Sequence, residues 1–332
     1  MVERLFSGVQ PSSGALHIGN WLGALRNWVT LLETGRYDAI FSVVDAHAVT
    51  VDYEPKAMPA RIFETALTYI AVGLDPSRCT IFVQSDVPEH AELAWYLGSV
   101  TPMGDLNRMT QFKEKSEENK QNINAGLFTY PILMAADVLL YKSTVIPVGD
   151  DQVQHLELAR EIARRFNARF GDVFPEPKPA LSVTPRIMGL DGKTKMSKTR
   201  GNTIDLFDPP ALIEKKLKTA FTDPNKLRKG DSGRPEICNV FTMHTALSSS
   251  EAVRDIETNC RSGALGCGEC KLRLKDAMVA ALEPIQARGA ELRKEPKRVL
   301  EVLREGRERA HSIASETMRE VRAAMGLGAG TP

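Results

Sequence analysis

The segment that decides the fold is Phe6-Ser7-Gly8-Val9-Gln10-Pro11-Ser12-Ser13-Gly14-Ala15-Leu16-His17-Ile18-Gly19-Asn20. Residues 4–8 predict a strand that runs into a Gly/Pro/Ser turn, and the apolar spacing of residues 18–32 predicts the helix that follows. Gly8 and Gly14 would let the backbone approach a ligand where a Cβ would clash. The N–H groups and positive dipole end of a helix that begins near His17 would favour a phosphate there.

Short apolar runs and longer helical patterns alternate through the first two thirds of the chain. Residues 39–45, 80–84 and 145–148 predict further strands, and residues 59–72 and 152–166 predict helices. This alternation is typical of an α/β fold with a Rossmann-like parallel sheet and helices on both faces. Ligands bind at the carboxyl ends of such strands, where the polar residues of this chain also fall.

The pattern changes near residue 205, beyond which no strand is predicted. Helical spacing recurs over residues 209–219, 240–247, 250–259, 270–288 and 296–325. We therefore predict a Rossmann-like catalytic domain over residues 1–205, with a helical insertion at about 100–128, and an all-helical domain over 206–332.

The composition of the 332-residue chain excludes several classes of protein. Its formal net charge is +1, so an RNA partner would need a local basic patch, such as the cations of residues 215–234. No run of about 18 apolar residues would span a membrane. The first residues lack the basic-then-apolar pattern of a secretory signal, and we expect a cytoplasmic protein without a membrane partner.

A second short segment, Lys195-Met196-Ser197-Lys198, places two cations and a hydroxyl in one loop. Pyrophosphate leaving ATP carries several negative charges, and lysines beside it would stabilise the transition state. Taken alone, this segment also fits a solvated basic loop, and the first also fits an ordinary strand–turn–helix. Together, in this order, they indicate an enzyme that transfers AMP to a carboxylate.

Six segments carry a resemblance to a known family. In chain order they are Phe-Ser-Gly-Val-Gln-Pro-Ser (6–12), Val-Val-Asp-Ala-His-Ala (43–48), Met-Thr-Gln-Phe-Lys-Glu-Lys-Ser (109–116), Thr-Tyr-Pro-Ile-Leu-Met-Ala-Ala-Asp (129–137), Val-Gly-Asp-Asp-Gln (148–152) and Lys-Met-Ser-Lys (195–198). The first and last resemble the signature pair of class I aminoacyl-tRNA synthetases, and the whole set resembles the bacterial tryptophanyl-tRNA synthetases. The first motif departs from the family pattern in two ways. It ends in Asn20 rather than a second histidine, and it has one extra residue between Gln10 and His17. The extra residue leaves open whether Ser12 or Ser13 touches ATP.

The resemblance implies a role for each matching residue. The implied catalytic residues are His17, Asn20, Lys115, Lys195, Ser197 and Lys198. ATP would contact Gln10, Pro11, Ser12, Gly19, Asn20, Gly149, Asp150, Asp151, Ile187, Lys195, Met196, Ser197, Lys198 and Thr199. Tryptophan would contact Phe6, Gly8, His47, Tyr130, Met134, Asp137 and Gln152. The implied enzyme is an ATP-dependent, AMP-forming tryptophan–tRNA ligase that uses Mg²⁺ with ATP, binds tRNA(Trp) and forms a homodimer.

Two side chains favour tryptophan over tyrosine as the substrate. The indole N–H only donates, so it requires an acceptor such as the ionised carboxylate of Asp137. Met134 lies three residues earlier on the same predicted helix face, and its thioether suits the broad face of an indole ring. Outside the family match, both residues also fit plain structural positions. Tyrosine activation and a non-catalytic tRNA-binding paralogue with a redox-sensing or metal-sensing cysteine site are the alternative functions, and a small-molecule adenylyltransferase fits less well.

Four of the five cysteines, Cys238, Cys260, Cys267 and Cys270, fall close together in the chain. In a reducing compartment such clustering favours a metal over disulfides. Four thiolates suit zinc or an iron–sulfur cluster, and the wide spacing of the first three favours the cluster. The resemblance implies the same, since a subset of bacterial tryptophanyl enzymes carries a 4Fe-4S cluster in a helical anticodon-binding domain. Zinc and buried thiols without metal are the alternatives.

Overall fold

The fold is built around a five-stranded parallel sheet. The computed structural model describes residues 2–11, 16–110, 123–149, 152–181 and 187–328. The strands are β1 (Glu3–Val9), β2 (Tyr37–Val43), β3 (Cys79–Val83), β4 (Val145–Val148) and β5 (Lys178–Leu181). Their order is β3-β2-β1-β4-β5 with every neighbouring pair parallel, so the predicted Rossmann-like α/β fold is confirmed.

Helices surround the sheet and make up the C-terminal region. In chain order they are α1 (Ile18–Asn20), α2 (Arg26–Glu33), α3 (Asp45–Ala48), α4 (Met58–Val72), α5 (Glu89–Gly98), α6 (Met103–Asn107), α7 (Ala125–Leu140), α8 (Val153–Phe170), α9 (Pro210–Lys218), α10 (Asn239–Leu247), α11 (Ser250–Arg261), α12 (Cys267–Lys294) and α13 (Pro296–Met325). A π-helical turn, Trp21–Leu25, joins α1 to α2 within the stretch predicted as one regular helix. No helix of the described ranges is both long enough and apolar enough to cross a membrane.

The strand order determines where a ligand can enter. Chain connections leave β1 toward β2 on one side and return to β4 on the other, so a crevice opens at the carboxyl ends of β1 and β4. All five residues of β3 are buried, as expected for a parallel strand covered on both faces. This burial explains why β3 is recognisable in the sequence as a continuous apolar run.

The last helix of the described residues, α13, packs back onto the parallel sheet. A Cβ on Gly306 would lie 1.8 Å from the carbonyl oxygen of Ile81, so only glycine permits this approach of α13 to β3. Farther along α13, Arg322 forms a bidentate ion pair with Glu92 of α5, at 2.8 and 2.6 Å. The division into domains at residue 205 stays a prediction, but the helical region is firmly joined to the sheet.

Candidate active site

A cavity of about 520 Å³ opens at the carboxyl ends of β1 and β4, where the strand order reverses. Phe6 to Gln10 form one part of its wall, and Ile146 to Gly149 form another. The helix that begins after His17, the residues of α7 around Asp137, and the lysine loop at Lys195 also line it. The cavity therefore gathers residues that are far apart in the sequence.

Asp137 of α7 is the buried anion of this cavity, with 2% of its surface exposed. Its Oδ2 atom lies 2.8 Å from His47 Nε2, and its Oδ1 atom lies 2.6 Å from both Gln84 Nε2 and His90 Nδ1. Burial raises the pKa of Asp137, but interaction with His47 and hydrogen bonds from His47 and His90 outweigh it and hold the pKa at about 2. Asp137 is therefore an ionised, acceptor-only group at every physiological pH.

Aromatic and thioether side chains flank this carboxylate. His47 meets the Tyr130 ring edge-on at a centroid distance of 6.3 Å, and the Tyr130 hydroxyl lies 2.8 Å from His155 Nε2. Met134 and Phe6 also line the cavity. A broad apolar ring with one polar edge fits such a wall better than a fully polar ligand does.

His17 and Asn20 form a capping box at the start of α1. The Asn20 backbone N–H donates to His17 Nδ1 at 3.3 Å, and the His17 backbone N–H donates to Asn20 Oδ1 at 3.1 Å. Because Nδ1 accepts, the proton of the neutral imidazole is on Nε2, and the remaining polar end of Asn20 is its donor amide Nδ2. Both side chains can thus donate to phosphate from the cavity wall.

His17 is uncharged in the free protein. Burial, followed by the charges of Lys198 and Lys195, lowers the pKa of its imidazole from 6.5 to about 4. Because the folded pKa is depressed, His17 stays neutral as the pH falls from 8 to 5 and gains its proton only near pH 4.

We expect NMR titration to reproduce this behaviour of His17. The His17 ring resonances, assigned with His17→Gln, should not titrate between pH 8 and 5. Lys198→Ala removes the larger of the two repulsions and should raise the pKa of His17, and Lys195→Ala should raise it less. Lys193→Ala, a change in the same loop, serves as the control and should leave it in place. A titration of native His17 centred near 6.5 would contradict the geometry.

The lysine loop is organised by Asn202. The Ser197 backbone N–H donates to Asn202 Oδ1 at 2.8 Å, and Asn202 Nδ2 donates to Asp191 Oδ2 at 3.0 Å. Lys198 Nζ lies 3.6 Å from Asp205 Oδ1. Burial lowers the pKa of Lys198, and the charge of Asp205 opposes this shift without cancelling it.

The two signature segments, far apart in sequence, are joined directly. The Ile18 N–H donates to the Ile204 carbonyl at 2.9 Å, and the Leu206 N–H donates to the Leu16 carbonyl at 3.0 Å. Met196 is buried, and its sulfur lies 3.3 Å from where a Cβ on Gly19 would be. The segment that directly follows the lysine loop is therefore hydrogen-bonded to the start of α1, and this pairing places the loop beside the first signature segment.

Most predicted site residues do come together. All seven residues predicted to contact tryptophan line the cavity: Phe6, Gly8, His47, Tyr130, Met134, Asp137 and Gln152. Of the predicted ATP-binding and catalytic residues, Gln10, His17, Gly19, Asn20, Gly149, Ile187, Lys195 and Met196 line it. The wall does not include Pro11, Ser197 or Lys198; Pro11 and Ser197 each adjoin a wall residue in the chain, and Lys198 follows Ser197. Ser12, Lys115, Asp150, Asp151 and the side chain of Thr199 lie outside the described residues. The individual roles stay predictions.

Gly8 owes its identity to packing as well as to the cavity. A Cβ there would lie 2.7 Å from the Ser42 carbonyl oxygen and 2.8 Å from Val44 Cγ1. Close packing against the end of β2 therefore excludes a side chain at residue 8. The sequence alone indicates a different reason for this glycine, the close approach of a ligand to the backbone.

Sequence reasoning missed four residues that support the cavity. Gln84 and His90 hold Asp137, while Asn202 and Asp205 hold the lysine loop. The signal available for Gln84 was its position at the end of a predicted strand. His90 carried no such signal, because it follows on a helix and lies 47 positions from its partner.

The four clustered cysteines are neighbours in space, but they do not form a ready metal site. Burial, and then the proximity of Cys238, Cys260 and Cys267, raises the pKa of Cys270 to about 12. All five cysteines are unpaired thiols. Within the described ranges, no three His, Cys, Asp or Glu side chains are arranged to hold a metal ion. The predicted metal centre is therefore not shown by the described residues, although the four thiols are close enough to act on one another.

Comparison with known proteins identifies the class. Residues 3–283 match the family model described as tRNA synthetases class I (W and Y), so the chain has the catalytic core of a class I aminoacyl-tRNA synthetase. It is 45% identical over 329 residues to the tryptophan–tRNA ligase of Deinococcus radiodurans, covering 98% of this chain and 99% of that protein. It is 48% identical to the tryptophan–tRNA ligase of Parasynechococcus marenigrum, covering 98% of both.

A solved structure agrees with these relatives. Tryptophanyl-tRNA synthetase from Campylobacter jejuni, in complex with ADP and tryptophan, superposes with a TM-score of 0.85 at 33% identity, covering 98% of this chain and all of that one. The chain belongs to the tryptophanyl-tRNA synthetase family. The predictions of a class I fold and of a tryptophan–tRNA ligase are confirmed at this level.

Proposed function

We propose that the protein activates L-tryptophan with ATP and transfers it to tRNA(Trp). The observation that carries the proposal is a single cavity that contains an ionised buried acceptor, Asp137, together with the donors His17 and Asn20 and the cation Lys195. Asp137 suits an indole N–H, whereas His17, Asn20 and Lys195 suit a polyphosphate.

In the first step, a carboxylate oxygen of tryptophan attacks the α-phosphorus of ATP. The bond from this phosphorus to the bridging oxygen of the β-phosphate breaks, which yields tryptophanyl-adenylate and pyrophosphate. The attacking carboxylate has no proton to lose, so no general base is required. Neutral His17 and Asn20 would donate hydrogen bonds to phosphate oxygens, and this would orient the α-phosphorus.

The lysine loop would stabilise the charge on the departing pyrophosphate. Lys195 lines the cavity, and Lys198 is held within reach of Asp205 until the polyphosphate arrives. Mg²⁺ would enter with ATP and neutralise phosphate charge. Lys115 is proposed to reach the phosphates from a separate loop on the strength of the family resemblance alone.

In the second step, a ribose hydroxyl at the end of tRNA attacks the acyl carbon, and AMP leaves. Within residues 215–234, Lys226 is buried and Arg234 is paired with Asp223 at 2.6 Å, so both serve the fold. Exposed cations such as Arg228 and Lys229 are better placed to meet tRNA phosphates. A homodimer, a cytoplasmic location and an anticodon-binding role for residues 206–332 complete the proposal.

ATP–pyrophosphate exchange tests the proposed activity. Exchange should depend on tryptophan, and tyrosine should support far less, because its hydroxyl also has lone pairs that need a donor and Asp137 can only accept. Equal exchange with tyrosine would favour the alternative amino acid. Retained tRNA binding without exchange would favour the non-catalytic paralogue.

We also propose that Cys238, Cys260, Cys267 and Cys270 bind a 4Fe-4S cluster, with zinc as the alternative. The proximity of four thiols supports it, as does the lack of a side chain at Gly233, where a Cβ would lie 2.4 Å from Cys260 Sγ. The four thiols would lose their protons when they bind the cluster. The resulting thiolates would tie α12 to the segments that precede it and so order this end of the helical region.

Anaerobic purification should yield a protein with broad absorption in the blue and about four iron atoms per chain. Cys270→Ala should lose both iron and colour, because one of four ligands is removed. Cys79→Ala is the matched control, since Cys79 lies on β3 and binds the Asp75 carbonyl, and it should keep them. Colourless protein with bound zinc would establish the alternative, and protein without metal would contradict both.

A further inference from the structure

A chain of buried side chains lies behind Asp137. The Tyr141 hydroxyl is 2.8 Å from His90 Nε2, and His90 Nδ1 is 2.6 Å from Asp137 Oδ1. Tyr141 is fully buried, and His90 is 2% exposed. Neither is among the residues that line the cavity. They therefore act on a ligand through the cavity residues that they contact, which are Asp137 for His90 and Phe6 for the Tyr141 ring.

The direction of each hydrogen bond follows from the chemistry of the groups. Ionised Asp137 only accepts, so His90 Nδ1 must carry a proton and donate it. Among the contacts of the described residues, Nε2 of His90 is the one polar partner of the Tyr141 hydroxyl. The hydroxyl hydrogen therefore points at Nε2, which is unprotonated. Burial, with the charges of Asp137 and Glu89, raises the pKa of Tyr141 and keeps this hydrogen in place.

The network also determines which part of Asp137 is open. Each carboxylate oxygen offers two lone pairs. In the part of the chain that the structure describes, Gln84 and His90 occupy both on Oδ1, whereas His47 occupies only one on Oδ2. One lone pair of Oδ2 thus remains for a ligand N–H.

We propose that His90, whose ring Tyr141 holds in place with Nδ1–H directed at the carboxylate, is a positioning residue that gives the site its selectivity for an indole N–H, received by Oδ2 of Asp137. This inference rests on the proposed activation of tryptophan. Without the Tyr141 hydroxyl, Nε2 of His90 would lose its hydrogen-bond partner, and the ring would no longer be held in the orientation that directs Nδ1–H at the carboxylate. Asp137 would then lose its fixed orientation.

Tyr141→Phe tests this with little disturbance of packing. The Tyr141 ring stacks on Phe6 at 5.4 Å and meets Phe82 edge-on at 5.7 Å, and phenylalanine keeps both contacts. Exchange is measured with L-tryptophan and with 3-benzothienyl-L-alanine, in which sulfur replaces the indole N–H. Tyr141→Phe should lower the ratio of kcat/KM for tryptophan to that for the analogue by about 3- to 10-fold, with KM for ATP unchanged.

Two further variants separate positioning from a general structural role. His90→Leu should lower the same ratio, whereas His90→Asn, which retains a donor near the Nδ1 position, should restore most of it. Tyr96→Phe is the control, because this hydroxyl on α5 binds Glu92 away from the cavity. Equal losses for both substrates, or an unchanged ratio in Tyr141→Phe and His90→Leu, would overturn the inference. Native protein without tryptophan-dependent exchange would instead overturn the proposed function.

Discussion

Asp137→Asn is expected to lower kcat/KM for tryptophan about 10- to 150-fold, while KM for ATP stays nearly constant. The change removes a charge-assisted hydrogen bond to the indole N–H, which contributes about 1.5–3 kcal/mol. It also places an amide N–H₂ opposite a donor, because His47, Gln84 and His90 all converge on the native carboxylate. ATP–pyrophosphate exchange at varied tryptophan and ATP concentrations measures both effects.

A control must separate binding from folding in this variant. Asparagine keeps the shape of the side chain, so circular dichroism and thermal unfolding should show a folded protein at the assay temperature. If Asp137→Asn is folded and retains native kcat/KM for tryptophan, Asp137 is not the indole acceptor.

Lys198→Ala is expected to lower kcat for exchange about 10²- to 10³-fold, with a small effect on KM for tryptophan. This range is the usual loss when one charge-stabilising group is removed from a transition state. In the free protein Lys198 is paired with Asp205 and its charge acts on His17, a proposed phosphate donor, whereas the partners of Asp137 are His47, Gln84 and His90. Its removal should therefore act on ATP chemistry and not on tryptophan binding. Pre-steady-state adenylate formation would locate the loss in the chemical step.

The same loop supplies a matched control. Lys193 is exposed, and its backbone N–H donates to Asp191 Oδ1 at 3.0 Å. Lys193→Ala removes an equal charge two residues before Lys195 and should keep native kcat. Equal losses in the two variants would attribute the effect to loop structure or net charge, and unchanged activity of Lys198→Ala would refute its role.

The central fold was predictable because its strands are buried on both faces. Val145–Val148 and the cores of β1 to β3 read as apolar runs with polar ends. The fifth strand, Lys178–Leu181, was missed because it is short, lies at the sheet edge and contains Pro179. The π-helical turn at Trp21–Leu25 was missed because its residues have ordinary helical spacing.

The site residues that lie in a short family motif could be predicted from the sequence. Those that act through contacts between distant parts of the chain could not. His17, Asn20 and the lysine loop were found from local sequence. The partners that tune them, His90 for Asp137 and Asp205 for Lys198, became visible only when the chain was folded. Gly8 was predicted as a site residue, but its packing against Ser42 was not, since no sequence pattern shows that the two residues are in contact.

The contact at Gly306 has a consequence for synthesis on the ribosome. β3 is an edge strand of the sheet, and α13 covers it: Gly306 meets the backbone of Ile81, and Ala310, Ala314 and Met318 belong to the same apolar cluster as Phe82. A nascent chain that ends before this helix leaves this edge exposed to water, although all five strands have already been made. Protease protection of β3 should therefore be acquired only as α13 emerges, so the sheet completes its folding at the end of translation.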